Sequence, residues 1–263
     1  MNNTTVEILR TKALDYCNHL RAFLKRVGAD DGLSSARDWG QDVVTGSILK
    51  SKIDPWLEDE SSSLHMFWAY TPDEEHTFSY SKALGLRFLW TVVETVDQLN
   101  VAASCMSHFC AVPSTVCKNL RIQRNPIGSR PLAMAYHLII QFLKIDYKGH
   151  NKVQLNVTEL QGLGEDIAHW NKALEVFGKI LKQTNIIYCL ITGLSDLEAE
   201  SGRKCEEFLN VPFANTEPEK TWFMFTTCGK SPLFTKHVPK AYRCDANQVL
   251  NAPEAGEDQD LNV

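Results

Sequence analysis

The sequence predicts an α/β fold, a three-layer sandwich around a mostly parallel five-stranded sheet. Three observations carry this. Residues 186–191 form a short, almost wholly apolar run rich in β-branched and aromatic side chains, which suits a strand buried on both faces. Similar runs start near Leu64, Val101 and Thr221, with a weaker one near Tyr242. Segments with apolar residues at helical spacing lie between them, and strands alternating with helices imply parallel neighbours joined by right-handed crossovers.

In chain order, residues 6–27 place Ile8, Leu9, Leu14, Leu20, Phe23, Leu24 and Val27 at the spacing of one amphipathic helix, ended by Gly28. Residues 42–57 read as a second helical approach. The run LHMFWAY (64–70) is the first central strand. It is followed by the polar stretch TPDEEHTFSYSK and by a helical pattern over 79–99. Residues 101–112 form a strand in which Cys105 and Cys110 pack and His108 is a core or edge histidine. An irregular basic connection with Lys118, Arg121, Arg124 and Arg130 spans 113–130. Pro131 opens a helix to residue 145, because a missing N–H costs nothing in the first turn. Residues 146–164 read as loop, and 165–183 as a helix presenting Ile167, Trp170, Leu174, Phe177 and Ile180 inward. After the strand at 186–191 come Asp196, Glu198 and Glu200, a helix including 204–209, the strand TWFMFTT (221–227), and an edge strand within 242–250. Three regions result: a helical segment over 1–52 packed on the main domain, an α/β domain over 53–250, and a tail over 251–263. Beyond Arg243 stand five acidic residues and no basic one, the composition of a solvated tail.

A chain of 263 residues with 44% hydrophobic and 22% charged residues has ordinary globular composition. Its net charge of -5, with no cluster of Lys and Arg, argues against a nucleic-acid binder. The N-terminus has no apolar signal core and no stretch is long enough to span a bilayer, so a cytoplasmic protein without membrane association is expected. The eight cysteines include no C-x-x-C pair and several sit in apolar runs, so they read as buried thiols rather than metal ligands.

Taken together, the runs LHMFWAY, NVAASCMSHFC, PLAMAYHLIIQFLK, IIYCLITGLSDLE and WFMFTTCGK resemble successive elements of a fungal NACHT-like P-loop NTPase domain of the STAND class. The resemblance covers about residues 53–250. In that family the first strand enters a phosphate loop, G-x-x-x-x-G-K-[ST]. With Lys82 as the loop lysine, the glycine positions fall on His76 and Ser81 and the magnesium hydroxyl position on Ala83. No glycine occurs from Thr71 to Ser81, so backbone amides lack the freedom to cradle a phosphate there. Asp73, Glu74 and Glu75 would each repel a phosphate charge about 6 Å away by roughly 3 kcal/mol at an effective dielectric near 20. The resemblance places the family's metal-binding acids on Thr192, Ser195 and Asp196, of which only Asp196 is acidic. Its sensor pattern falls on Thr226, Thr227, Cys228 and Gly229, without the arginine.

The resemblance therefore implies a degenerate NTPase-like domain, with Lys82, Thr192 and Asp196 as vestigial nucleotide-site positions. It implies no catalytic residues, cofactor or metal. The expected function is a protein-interaction or regulatory module whose partner is another protein. The alternative is an accessory protein or unrecognised enzyme of a fungal biosynthetic pathway, such as secondary metabolism, using the same crevice with Cys228, Lys230, His237 and Asp196 as reactive groups.

Overall fold

The computed structural model describes residues 6–27, 51, 53–56, 66–71, 104–109, 130–144, 152–183, 187–215 and 221–245. The chain begins with β1 (Val6–Leu9), α1 (Arg10–Tyr16) and α2 (Asn18–Val27). Then come β2 (Met66–Thr71), β3 (Ser104–Phe109), α3 (Arg130–Lys144), β4 (Lys152–Leu155) and α4 (Val157–Gln161). A 3-10 turn at Ile167–His169 leads into α5 (Trp170–Leu181), β5 (Ile187–Thr192) and α6 (Leu194–Asn215). The last elements are β6 (Thr221–Cys228), α7 (Pro232–His237) and β7 (Arg243–Asp245).

Four longer strands form a parallel sheet in the order β3-β5-β6-β2, and the three-residue β7 extends it beside β2. Because side chains alternate along a strand, the register fixes what each face carries. Met106, Cys189, Phe223 and Met66 share one row, and His108, Ile191, Phe225 and Trp68 the next. Side chains of this face and of α1, α2, α3, α5, α6 and α7 join in one continuous core. The opposite face carries Phe67, Tyr188, Leu190, Trp222 and Met224, and it is buried as well. Trp56, from the helical turn at 53–56, lies 5.7 Å from Phe67 and 6.4 Å from Tyr188 between ring centroids. Burial of both faces explains why these strands read as unbroken apolar runs.

The connections β3 to β5, β5 to β6 and β6 to β7 all step across the sheet in the same direction. Their helices all lie on the same face, which a single crossover hand requires. α5 and α6 meet through stacked Phe177 and Phe208, 5.5 Å apart, and through Trp170 Nε1, which donates to Glu207 Oε2 at 2.7 Å.

Several expectations are corrected. Residues 6–27 are not one helix: Val6–Leu9 form a strand antiparallel to Lys152–Leu155, a segment expected as loop. Helical spacing in β1 is short enough to be overridden by pairing, and β4 alternates exposed Lys152 and Gln154 with buried Val153 and Leu155. The outward edge of β4 is closed by Gln183. Its Oε1 accepts from Gln154 N at 2.6 Å and its Nε2 donates to Gln154 O at 2.9 Å. α4, also expected as loop, starts where the Asn156 side chain accepts from Thr158 N. The helix expected to include 204–209 is present as α6, which begins directly after Gly193 and has a break at Ser201. α7 was not foreseen at all. Of the expected edge strand 242–250, β7 covers Arg243–Asp245, and the part past Asp245 lies outside the described residues, as do the helix at 79–99 and the acidic tail.

The N-terminal elements join the same core through Ala13, Cys17, Leu20, Phe23 and Leu24. Buried Arg10 donates from Nη1 to Phe142 O at 2.7 Å and lies 4.4 Å from that ring's centroid, so a cation meets the carboxyl end of α3. Tyr136 Oη donates to Gly164 O at 2.7 Å, and His19 Nε2 meets Leu163 O at the same distance.

Candidate functional site at the carboxyl edge of the sheet

In open parallel sheets, functional groups collect beyond the carboxyl ends of the strands. Here β5 ends at Thr192 and β6 at Cys228, and each is followed by a glycine in the left-handed region: Gly193 (φ 72) and Gly229 (φ 73). A side chain at either position would strain the backbone, so glycine lets the chain leave the sheet at once. Gly193 N–H donates to Thr226 O at 2.9 Å, which ties the exit of β5 to β6.

Beside it, Thr227 Oγ1 accepts from Trp68 Nε1 at 2.9 Å and donates to Gly229 O at 2.8 Å, fixing the next turn. Ser231 then caps α7: its Oγ accepts from Phe234 N at 3.1 Å. Glu198 of α6 reaches the same helix start, where its Oε1 accepts from Leu233 N at 3.3 Å. One of the three acids after β5 thus serves to anchor a helix.

Thr192, Thr226 and Ala69 lie in one row across the three strand ends, all buried. The row carries no charge, and among the described residues the Thr226 hydroxyl has no hydrogen-bond partner. Thr192, the position matched to a magnesium-holding aspartate, is only 4% exposed. Asp196 falls in the first turn of α6, while Lys82 and the acids at 73–75 lie outside the described residues. Among the described residues no group of three His, Cys, Asp or Glu side chains could hold a metal ion. No helix there is long and apolar enough to cross a membrane.

Of the residues of the alternative reading, Lys230 and His237 engage separate partners. Lys230 is exposed, with Nζ 5.8 Å from the centroid of Tyr70. Burial pushes the Tyr70 hydroxyl pKa up, and Asp245 adds to this. His237, at the end of α7, lies 3.9 Å from Glu206, which Lys236 bonds at 2.7 Å. That lysine holds the Glu206 carboxyl below its ordinary range.

Sequence reasoning missed a second polar group. His108 of β3 and His137 of α3, both buried, meet with Nδ1 atoms 2.9 Å apart. Gln141, one turn along α3, sits with Nε2 3.1 Å from His137 Nε2 and 3.3 Å from its Nδ1. Burial first, and His137 second, hold the His108 pKa well below the ordinary histidine range. Each histidine stands in an apolar run, but nothing in the sequence pairs positions 29 residues apart. No family model, curated protein or solved structure matches the chain.

Proposed function

We propose that the chain is a non-catalytic P-loop-NTPase-like domain that acts in the cytoplasm by binding another protein. The observation that carries this reading is Thr192. At the carboxyl end of an interior parallel strand, where the resemblance calls for a metal-holding carboxylate, a neutral side chain stands buried in an uncharged row with Thr226 and Ala69. Magnesium takes oxygen ligands that include carboxylates, and a triphosphate without its cation carries concentrated negative charge. Two further features agree with this: β2, the strand matched to the phosphate-loop strand, is flanked on both sides, and its end lies beside the sensor-like Thr226 to Gly229.

The domain then works as a scaffold whose parallel sheet is intact and whose nucleotide chemistry is gone. Isothermal titration of the full chain with ATP and magnesium tests it. No heat of binding is expected up to millimolar nucleotide, and a micromolar dissociation constant, about -8 kcal/mol, overturns the proposal.

A further inference from the structure

In the small antiparallel sheet, the outer edge of β4 is occupied and that of β1 is not. Gln154 N donates to Gln183 Oε1 at 2.6 Å, and Gln154 O accepts from Gln183 Nε2 at 2.9 Å, so both backbone groups point away from β1. Opposite residues of an antiparallel ladder either exchange both bonds or both turn outward. Glu7, opposite Gln154, therefore turns its N–H and C=O away from β4, and Leu9, two residues on, does the same. The Leu9 C=O serves the first turn of α1. Among the described residues no backbone hydrogen bond reaches the Glu7 N–H, the Glu7 C=O or the Leu9 N–H.

The same short strand carries Leu9, which at 38% is the one large hydrophobic side chain exposed among the described residues, and Ile8, half-buried at the rim of the core. An open edge of this kind is a template for a further strand. β1 itself meets its requirements. Antiparallel pairing of two copies about Ile8 sets Glu7 of each against Leu9 of the other, so the outward groups meet and Leu9 N–H donates to the Glu7 C=O in both directions. On the core side the apolar row of Val153 and Ile8 continues into Ile8 and Val153 of the second copy. On the exposed side Leu9 lies between the Lys152 stem of its own chain and the Glu7 stem of the other. Charge fixes this register, because pairing about Glu7 would place two carboxylates directly opposite each other.

We propose that two copies of the chain join through β1 into one four-stranded antiparallel sheet, in the order β4-β1-β1-β4. So short a contact falls below the ~800 Å² per partner of a standard interface, so the pairing is weak and builds up in concentrated protein.

Sedimentation velocity of the full chain from about 10 μM to about 1 mM tests this, with the weight-average mass expected to rise from 29.7 kDa toward twice that value. A mass that stays at one chain throughout overturns the proposal. Leu9→Pro is the matched variant. Leu9 already holds φ -64, which proline prefers, its N–H makes no bond to β4, and a strand residue precedes it. The substitution removes the pairing donor and the exposed side chain while sparing the β1–β4 ladder, so the variant is expected to stay monomeric. A variant that dimerises as the parent does overturns the proposal. Should the variant not fold, amide exchange in the parent decides: the Glu7 and Leu9 amides are expected to exchange about threefold slower or more at the top of the concentration range than at the bottom, and unchanged rates overturn the pairing.

Discussion

Replacing Thr192 by aspartate places a carboxylate where the resemblance calls for one and asks whether the carboxyl edge tolerates it. The position is 4% exposed, so the new group enters a site that disfavours charge. Near pH 7 the group can avoid ionisation by taking up a proton, which caps the cost at about 4 kcal/mol, the separation from an unfolded aspartate pKa of ~3.9. The Thr226 hydroxyl, without a partner among the described residues, supplies one neutral hydrogen bond to the protonated acid, which offsets about 1 kcal/mol. A net loss of roughly 3 kcal/mol near pH 7 follows. The sign is fixed by linkage: a carboxyl whose folded-state pKa is raised destabilises most above that pKa, and the penalty fades as pH falls toward the unfolded value. The loss should shrink to under about 1 kcal/mol near pH 5 and vanish as the pH falls further toward 4. Urea denaturation followed by tryptophan fluorescence, variant against parent at each pH, measures it. A variant as stable as the parent near pH 7 would refute the reasoning. A midpoint restored by about 10 mM magnesium would too, since only a site that binds the ion is stabilised by it.

Phe234 is fully buried, with its ring 5.5 Å from Trp68 and 4.9 Å from Phe225, so Phe234→Ala should cost about 3–5 kcal/mol in urea unfolding. A loss under about 1 kcal/mol would mean that α7 is not anchored to the sheet. Arg10→Met keeps a long apolar stem over Phe142 but leaves its carbonyl without the guanidinium, and the same assay should show a loss of about 1–3 kcal/mol. Burial pushes the Cys17 thiol up to about 11, with Arg21 offsetting only part of this. Cys17 should therefore resist iodoacetamide in native buffer and react once urea unfolds the chain; native modification within minutes would contradict its burial.

The strands legible in the sequence are the ones buried on both faces. Residues 66–71, 104–109, 187–192 and 221–228 all lie within or one residue beyond the expected runs; in β2, β5 and β6 burial on both faces favours apolar residues along most of the strand. α3 and α5 were equally visible through their long apolar stripes. The elements that escaped are short or depend on partners far away in the chain. β1 and β4 exist through each other, α7 through Ser231, Glu198 and the aromatic bed of Trp68 and Phe225. At the site, the absence of charge at Thr192 is legible as a residue identity, whereas its alignment with Thr226 and Ala69 requires the strand register.

The amino-acid order alone determined the class of the fold, since runs of four to eight apolar residues between helical stripes have few other ways to leave water. It also determined the neutrality of the strand end. Tertiary structure decided which strands are neighbours, that the helices from α3 to α7 share one face, and that two histidines 29 residues apart touch. Hydrophobic burial is non-directional and reads out locally, whereas hydrogen bonds between remote residues are set by register and crossover, which no local pattern encodes.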